Sequence, residues 1–339
     1  CNKVDYFTYS VGKREHAVQE GAIFLDRVKK LLDAEGGVHA ENFSGEEEWW
    51  FLYHFSDLRR GILNWYPFAK DSSLLEIGGE CGALTGLFCE KCDKVVTIEE
   101  NVQKAEIIRK RYEKEKNLDV VCKKYSSLEN LHVNHKFDYV VINRVFEYIH
   151  GMNPIKFGEF LKSIAALFLV PNGKLLIIAD NRYAIRNFCG ARDILTGKPF
   201  DALNQYPEGI RGTIFSRQQL VEGIEGSKKF YYKFYYPLPD YRMTQLIFSD
   251  EYMNKADIRD RIISYEPFQD TLLAVESNLY EDILVNGALP FLSNSFLIEC
   301  CQEKDLCEIE YATSSEDRGK IYGTATTIWM DGFVRKKAL

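Results

Sequence analysis

The stretch from Ser72 to Glu100, SSLLEIGGECGALTGLFCEKCDKVVTIEE, constrains this chain more than any other. An apolar run from Leu74 to Ile77 ends in Gly78, Gly79, Gly82 and Gly86. A helical pattern follows, and a second apolar run, Val95 to Ile98, ends in Glu99 and Glu100. Strand, glycine turn, helix, strand and acid, in that order, form a nucleoside-binding half-fold. Glycine permits a tight turn and close approach of backbone to ligand, and an acid ending the second strand can accept hydrogen bonds from ribose hydroxyls. No two glycines here have the glycine-any-glycine spacing of a turn that cradles a pyrophosphate, which argues against a dinucleotide.

Glu76 stands two residues before Gly78, where a carboxylate can meet a cationic ligand group. A cofactor with an ammonium and a ribose but no phosphate is S-adenosylmethionine. The stretch resembles motif I and the acidic second-strand end of class I methyltransferases, whose pattern is E/D-x-G-x-G-x-G. The resemblance implies a cofactor site at Glu76, Gly78, Gly79, Glu80 and Gly82, with the ribose at Glu99 and Glu100 beside it. Glu80 departs from the pattern, adding bulk and charge where most of the family has its middle glycine.

Composition narrows the partners. The 339 residues exceed one typical domain, and the formal net charge of −7 disfavours a large phosphate-binding face and hence nucleic acid. Nine cysteines, scattered and odd in number, fit reduced thiols in a cytoplasmic protein. Cys89 and Cys92 form a C-x-x-C, but no second pair has zinc-site spacing, so no metal is expected there. The longest apolar run, Ile164 to Val170, is far short of the roughly 20 residues that span a bilayer.

Along the chain, residues 1–70 read as a helical cap. Ala17 to Leu32 has helical spacing, and Ser44 with Glu47 suggests a capping box before WWFLYHFSDLRRGILNWY. Tyr53 and His54 lie on this segment as candidates to cover the ligand. Leu118 to Cys122 reads as a third strand, followed by a turn without an acid, so that adenine would be met by backbone groups, by Ser126 or by stacking. Phe137 to Ile142 is a fourth strand, ending in Asn143 and followed by Arg144, Glu147 and His150. Ile155 to Leu169 is a crossover helix, and the fifth strand ends at Asp180, Asn181 and Arg182. This alternation predicts an α/β fold: a Rossmann-like, doubly wound, mostly parallel seven-stranded sheet with an N-terminal helical cap and a C-terminal β-rich extension. The core is expected over 71–302, with a substrate-side insertion around 183–290. Phe215 to Ile224 reads as a helix opened by Ser216. The aromatic run of KKFYYKFYYPLPDYRMTQLIFSDEY suits a strand, and Pro237 and Pro239 forbid its continuing as helix; Asn294 to Gln302 reads as another strand, and Leu306 to Thr313 with Ile321 to Met330 as a hairpin-like pair within the extension over 303–339.

With these pieces together, the chain resembles a narrower bacterial group of methyltransferase domains found fused to glycosyltransferase or other cell-envelope glycan modules. LYHFSDLRRGILNWYPF, LLEIGGECGALTGL, FDYVVINRVFEYI, PNGKLLIIADNR, FYYPLPDYR with FSDEY, and LPFLSNSFLIE carry the likeness over residues 52–302. It implies O-methylation of a small-molecule or glycan hydroxyl. Methyl transfer to a hydroxyl needs alignment and removal of a proton. By strand logic Asp180 is the first candidate base, with Glu147 and His150 behind it. Tyr53, His54, Asn181, Arg182, Asp240 and Tyr241 are the acceptor-side candidates. A variant with a hard cation at Asn143, Asp180 and Asn181 resembles catechol-type enzymes. Two rivals remain: a non-catalytic scaffold in a glycan-assembly protein, motivated by Glu80 and Arg144, and an RNA adenine methyltransferase, whose Asn-Leu-Pro-Tyr signature is replaced here by FEYI.

Overall fold

In the computed structural model, residues 23–34, 38–130, 135–193, 195–210, 212–255, 258, 266, 268–315 and 323–338 are described. The expected first helix is described as α1 from residue 23 to residue 33; its start at Ala17 lies outside these residues. α2 spans Glu46–Phe55 and is capped by Gly45 rather than by the anticipated Ser44. It also ends earlier than the apolar run suggests. Ser56 is extended, and its hydroxyl accepts from the Leu58 amide, opening a 3-10 turn at Asp57–Ile62.

Eleven strands form a single sheet in the order β11-β10-β9-β7-β6-β8-β5-β4-β1-β2-β3. The five strands of the alternating half are β1 (Ser73–Ile77), β2 (Lys94–Glu99), β3 (Leu118–Cys122), β4 (Phe137–Asn143) and β5 (Leu169–Asp180), and they pair parallel with one another. β8 (Ser295–Cys301) inserts antiparallel between β5 and β6 (Tyr231–Leu238). The sheet exceeds the seven strands read from the sequence. β7 (Leu246–Ser249), β9 (Ile309–Ser314), β10 (Thr324–Trp329) and β11 (Val334–Ala338) continue it antiparallel beyond β6. The expected C-terminal extension is therefore part of the same sheet. β7 is paired on both sides, with β6 and with β9, so the edge strands of the sheet are β3 and β11.

The parallel strands are apolar on both faces because both are covered. Leu74, Val95, Val141, Leu176 and Ile178 pack under α3 (Thr85–Lys91) and the Ile62 to Tyr66 turn. Leu75, Ile77, Val96, Ile98, Val140, Ile142, Leu175 and Ile177 pack under α5 (Pro154–Phe168) and α7 (Arg217–Gly226). α7 is opened by Ser216 in a full capping box with Gln219. A third cluster joins Phe24, Leu25 and Val28 of α1 to Cys81 in the glycine turn and to Ile107 of α4 (Val102–Arg111). The N-terminal cap is thus seated beside the turn. Strand order reverses between β1 and β4, the place where open α/β sheets bind ligands.

Candidate active site

The turn after β1 has the conformation its glycines allow. Gly78 and Gly82 have φ of 94° and 84°, and a methyl on Gly78 would stand 2.4 Å from the Asn143 carbonyl oxygen at the end of β4. The glycine is what lets the two strand ends touch across the switch point. Asn143 Nδ2 donates to the Gly78 carbonyl at 3.0 Å.

Glu76 is fully buried beneath the turn. Its Oε2 accepts from Thr85 at 2.6 Å and Thr97 at 2.9 Å, tying β1 to β2 and to the first residue of α3. Burial pushes this carboxyl up to about 7 against the pull of the two hydroxyls. The sign follows: the folded chain holds a proton that the unfolded chain has released, so Glu76 stabilises most below its ordinary range and loses that contribution as pH rises to about 7. We expect Glu76→Gln to remove about 3 kcal/mol of pH dependence between pH 4.5 and 7, by the shift's conversion to free energy. Urea unfolding across that window measures it, and parallel curves for both proteins would refute it.

Glu99, ending β2, is turned back onto the turn. Its Oε2 accepts from the Glu80 amide at 2.8 Å and the Tyr125 hydroxyl at 2.9 Å, and its Oε1 accepts from the Asn101 amide at 2.9 Å. Glu100 points away to solvent and accepts from the Tyr125 amide. Ser126, the anticipated adenine contact, is exposed; its neighbour Tyr125 is the residue that turns inward.

Glu80 is the unusual member. It is buried at 7% exposure with a left-handed φ of 53°, and its carboxylate meets Lys104 Nζ at 3.0 Å, Tyr53 Oη at 3.5 Å, His54 Nδ1 at 3.8 Å and Arg144 at 3.9 Å. Burial works against its charge, but Lys104 and Arg144 outweigh it and hold Glu80 well below the carboxylate range. His54 is neutral at pH 7, because burial lowers its imidazole to about 3. Across the crevice Arg144 is also left-handed, at φ 58°. Two non-glycine residues held there cost on the order of 1–3 kcal/mol each and persist only where their surroundings impose them.

Arg144 organises the other wall. It pairs with both oxygens of Glu147, donates to Asp180 at 3.1 Å and to Tyr53 Oη at 2.8 Å, and lies over the Tyr241 ring. Asp180 also accepts from Arg186 at 2.6 Å, and Arg186 reaches Asp240, which pairs with Arg242. Asp180 was the first candidate base, and the structure argues otherwise. Burial would raise it, but Arg186, Arg144 and Arg242 outweigh burial and keep it below its ordinary value. Burial pushes Glu147 up instead, against Arg144 and with help from Asp180. The cation variant fails here too, since Asn181 spends its amide on the Phe291 and Ser293 carbonyls and its oxygen on the Tyr183 amide. Among the described residues no group of histidines, cysteines and acids could hold a metal ion.

The structure therefore brings Tyr53, His54, Glu76, Glu80, Glu99, Asn143, Glu147, Asp180 and Tyr241 around one switch point. Asp240 stands behind them as an anchor for Arg186. His150 is on an exposed turn, and Arg182 donates to the Ala202 carbonyl and lines a separate cavity of about 260 Å³ with Tyr206 and Gln219. Lys104, Tyr125 and Arg186 were missed. Lys104 sits in a charged helix whose pattern does not single it out, and Tyr125 was passed over for the adjacent serine.

The residues present meet part of the need of a sulfonium nucleoside. Among the described residues, two buried acceptors, Glu76 Oε1 and Asn143 Oδ1, have no donor, and the register of β1 with β4 puts both on one face. An ammonium supplies such donors, and Glu99 retains acceptor capacity for hydroxyls. The acceptor set fits; the Glu80 side chain lies in the same crevice.

Among the described residues, no helix is long and apolar enough to cross a membrane. No curated protein matches the chain. Of the solved structures, the N-methyltransferase NodS from Bradyrhizobium japonicum, in complex with S-adenosyl-L-homocysteine, is 11% identical, over 83% of this chain and 99% of that one, with a TM-score of 0.41. A Haloferax volcanii putative methyltransferase in complex with the Trm112 activator is 14% identical over 74% and 89%, at a TM-score of 0.42. Residues 68–192, which carry the glycine turn, Glu99, Asn143, Arg144 and Asp180, match the family described as Nodulation protein S (NodS).

Proposed function

We propose that this chain is an S-adenosylmethionine-dependent methyltransferase acting on a hydroxyl of a sugar or other small acceptor. The observation that carries the reading is the pair of donorless acceptors at the ends of β1 and β4 beside the left-handed glycine turn, with Glu99 facing that turn from β2. The match of residues 68–192 to the NodS family supports it. The glycan acceptor, and any fused or associated glycosyltransferase module, rest on the sequence likeness alone.

Glu76 and Asn143 would hold the cofactor's ammonium and Glu99 its ribose, and the bound cofactor supplies an electrophilic methyl group. An ammonium beside Glu76 would restore its charge at neutral pH. Arg144 and Tyr53 exclude water from the β4 side and fix Glu147. Glu147, with its raised pKa, is the better proton acceptor of the two carboxylates, because a general base works best with a pKa near the working pH. Asp180, held by two arginines, orients Arg144.

Calorimetric titration with S-adenosylhomocysteine tests the reading. We expect wild type to bind and Glu99→Ala to bind at least about tenfold more weakly, the equivalent of one lost charged hydrogen bond. The second reading, a scaffold that keeps the fold without the chemistry, is favoured by the Glu80, Lys104 and Arg144 contacts that close the crevice. No binding heat in wild type or in Glu80→Gly would select it.

A further inference from the structure

The contacts of Glu80 have the form of a bound carboxylate. One oxygen meets Lys104 Nζ at 3.0 Å, and the other meets Tyr53 Oη at 3.5 Å and Arg144 at 3.9 Å. We propose that Lys104, Tyr53 and Arg144 form a receiving site for the carboxylate of an α-amino acid head group, and that Glu80 occupies it as an internal stand-in displaced on binding. The inference rests on the methyltransferase reading and adds to it how the amino acid end is recognised and why the crevice is closed.

Three observations support an exchangeable occupant. Only one of the contacts on Glu80 is short, so its carboxylate is attracted more than it is locked. The Glu80 backbone is left-handed, which a side chain leaving the crevice could relax and which glycine would adopt freely. Lys104 is at the third position of α4, with its side chain 21% exposed, free to follow a new partner.

The fourth observation concerns charge balance. An α-amino acid head has a carboxylate and an ammonium on one carbon. On one side the crevice has two cations and a hydroxyl, and on the other two acceptors without donors, Glu76 Oε1 and Asn143 Oδ1. Glu80 satisfies only the first half, and the second is left for a ligand.

A site that is competent only when an internal group has left binds more weakly by the fraction of time it is open. The test uses the full chain as wild type, Glu80→Gly, Glu80→Gln and the double variant Glu80→Gly with Lys104→Met. Thermal unfolding in formate, against chloride at equal ionic strength, should show a formate-specific rise in Tm for Glu80→Gly and none for wild type or the double variant. S-adenosylhomocysteine should bind Glu80→Gly roughly tenfold or more tightly than wild type, if Glu80 is out less than about a tenth of the time. Glu80→Gln keeps the bulk without the charge and should shift the same way, which serves if the glycine variant does not fold.

No formate-specific effect, together with equal affinity in wild type and Glu80→Gln, would overturn the proposal while leaving the methyltransferase reading intact. Formate stabilisation of Glu80→Gly with no binding of S-adenosylhomocysteine by any variant would keep the carboxylate site and overturn the methyltransferase reading.

Discussion

Arg144→Met is expected to destabilise the fold by about 3–5 kcal/mol, the range for breaking a buried ion pair from one side. The guanidinium is 3% exposed and is the shared partner of Glu147, Asp180 and Tyr53. Methionine fills much of its volume but leaves two buried carboxylates facing each other with one cation fewer. Glu147, already raised by burial, would hold its proton to still higher pH, and Asp180 would lose one of the cations that keep it low. Stability contributed by such groups is present at low pH and lost as pH rises through the folded pKa, so the deficit relative to wild type should be larger at pH 8 than at pH 5. Urea unfolding at the two pH values measures both effects. A loss under about 1 kcal/mol, independent of pH, would mean that Arg144 is not the organising charge, since most substitutions without a named mechanism fall in that range.

The second large effect is expected where α5 crosses α7. A methyl on Gly158 would stand 2.4 Å from the Gly223 carbonyl oxygen, and one on Gly223 would stand 2.4 Å from the Phe157 ring and 2.7 Å from the Pro154 carbonyl. Backbone is on the receiving side in both cases, so the helices must part. Overpacking of this kind costs about 1–3 kcal/mol and occasionally more, and we expect each alanine to reach the upper end. Because the first methyl already separates the helices, the double variant should cost less than the sum, and a double-mutant cycle reads the coupling. Additive costs, or a Tm unchanged in either single variant, would show that the crossing adjusts locally.

Much of the parallel half was legible because its signals are local. Strands buried on both faces read as continuous apolar runs, and the alternation with helical segments limits the topology to few arrangements. The α7 capping box was equally plain, since Ser216 and Gln219 need only each other. The capping box anticipated at Ser44 failed because Gly45, at φ 61°, takes the cap position. The extension beyond seven strands was hidden for a different reason. β7 is four residues long, and its pairing with β9, across more than sixty residues of sequence, leaves no local trace.

The site divides in the same way. Glu76, Glu99 and Asn143 sit at strand ends, and position along a strand is what sequence periodicity reports. The roles of the charges are set by partners far away in the chain. Asp180 has the right position for a base, but two arginines, Arg144 and Arg186, bond to it and help keep it below its ordinary value. Glu147 and Asp180 are both acids beside one arginine, and only burial and the number of cations on each separate their pKa values. Lys104 and Tyr125 became visible only once β2 and β3 were side by side.

The position of β8 has a consequence for the order in which the molecule can assemble. Among the described residues of the sheet, β8 is the sole link between the parallel block ending at β5 and the antiparallel block beginning at β6. A growing chain therefore makes β1 to β5, then the β6 and β7 pair, and holds two sheets with bare facing edges until residues 295–301 arrive to join them. Until that late insertion Asp180 lacks its neighbour Ser295, and Tyr241 lacks the Ser295 hydroxyl that anchors its amide. The wall of the crevice is completed by the eighth of the eleven strands, so a nascent chain stalled before residue 295 would carry a finished glycine turn facing an unfinished partner wall.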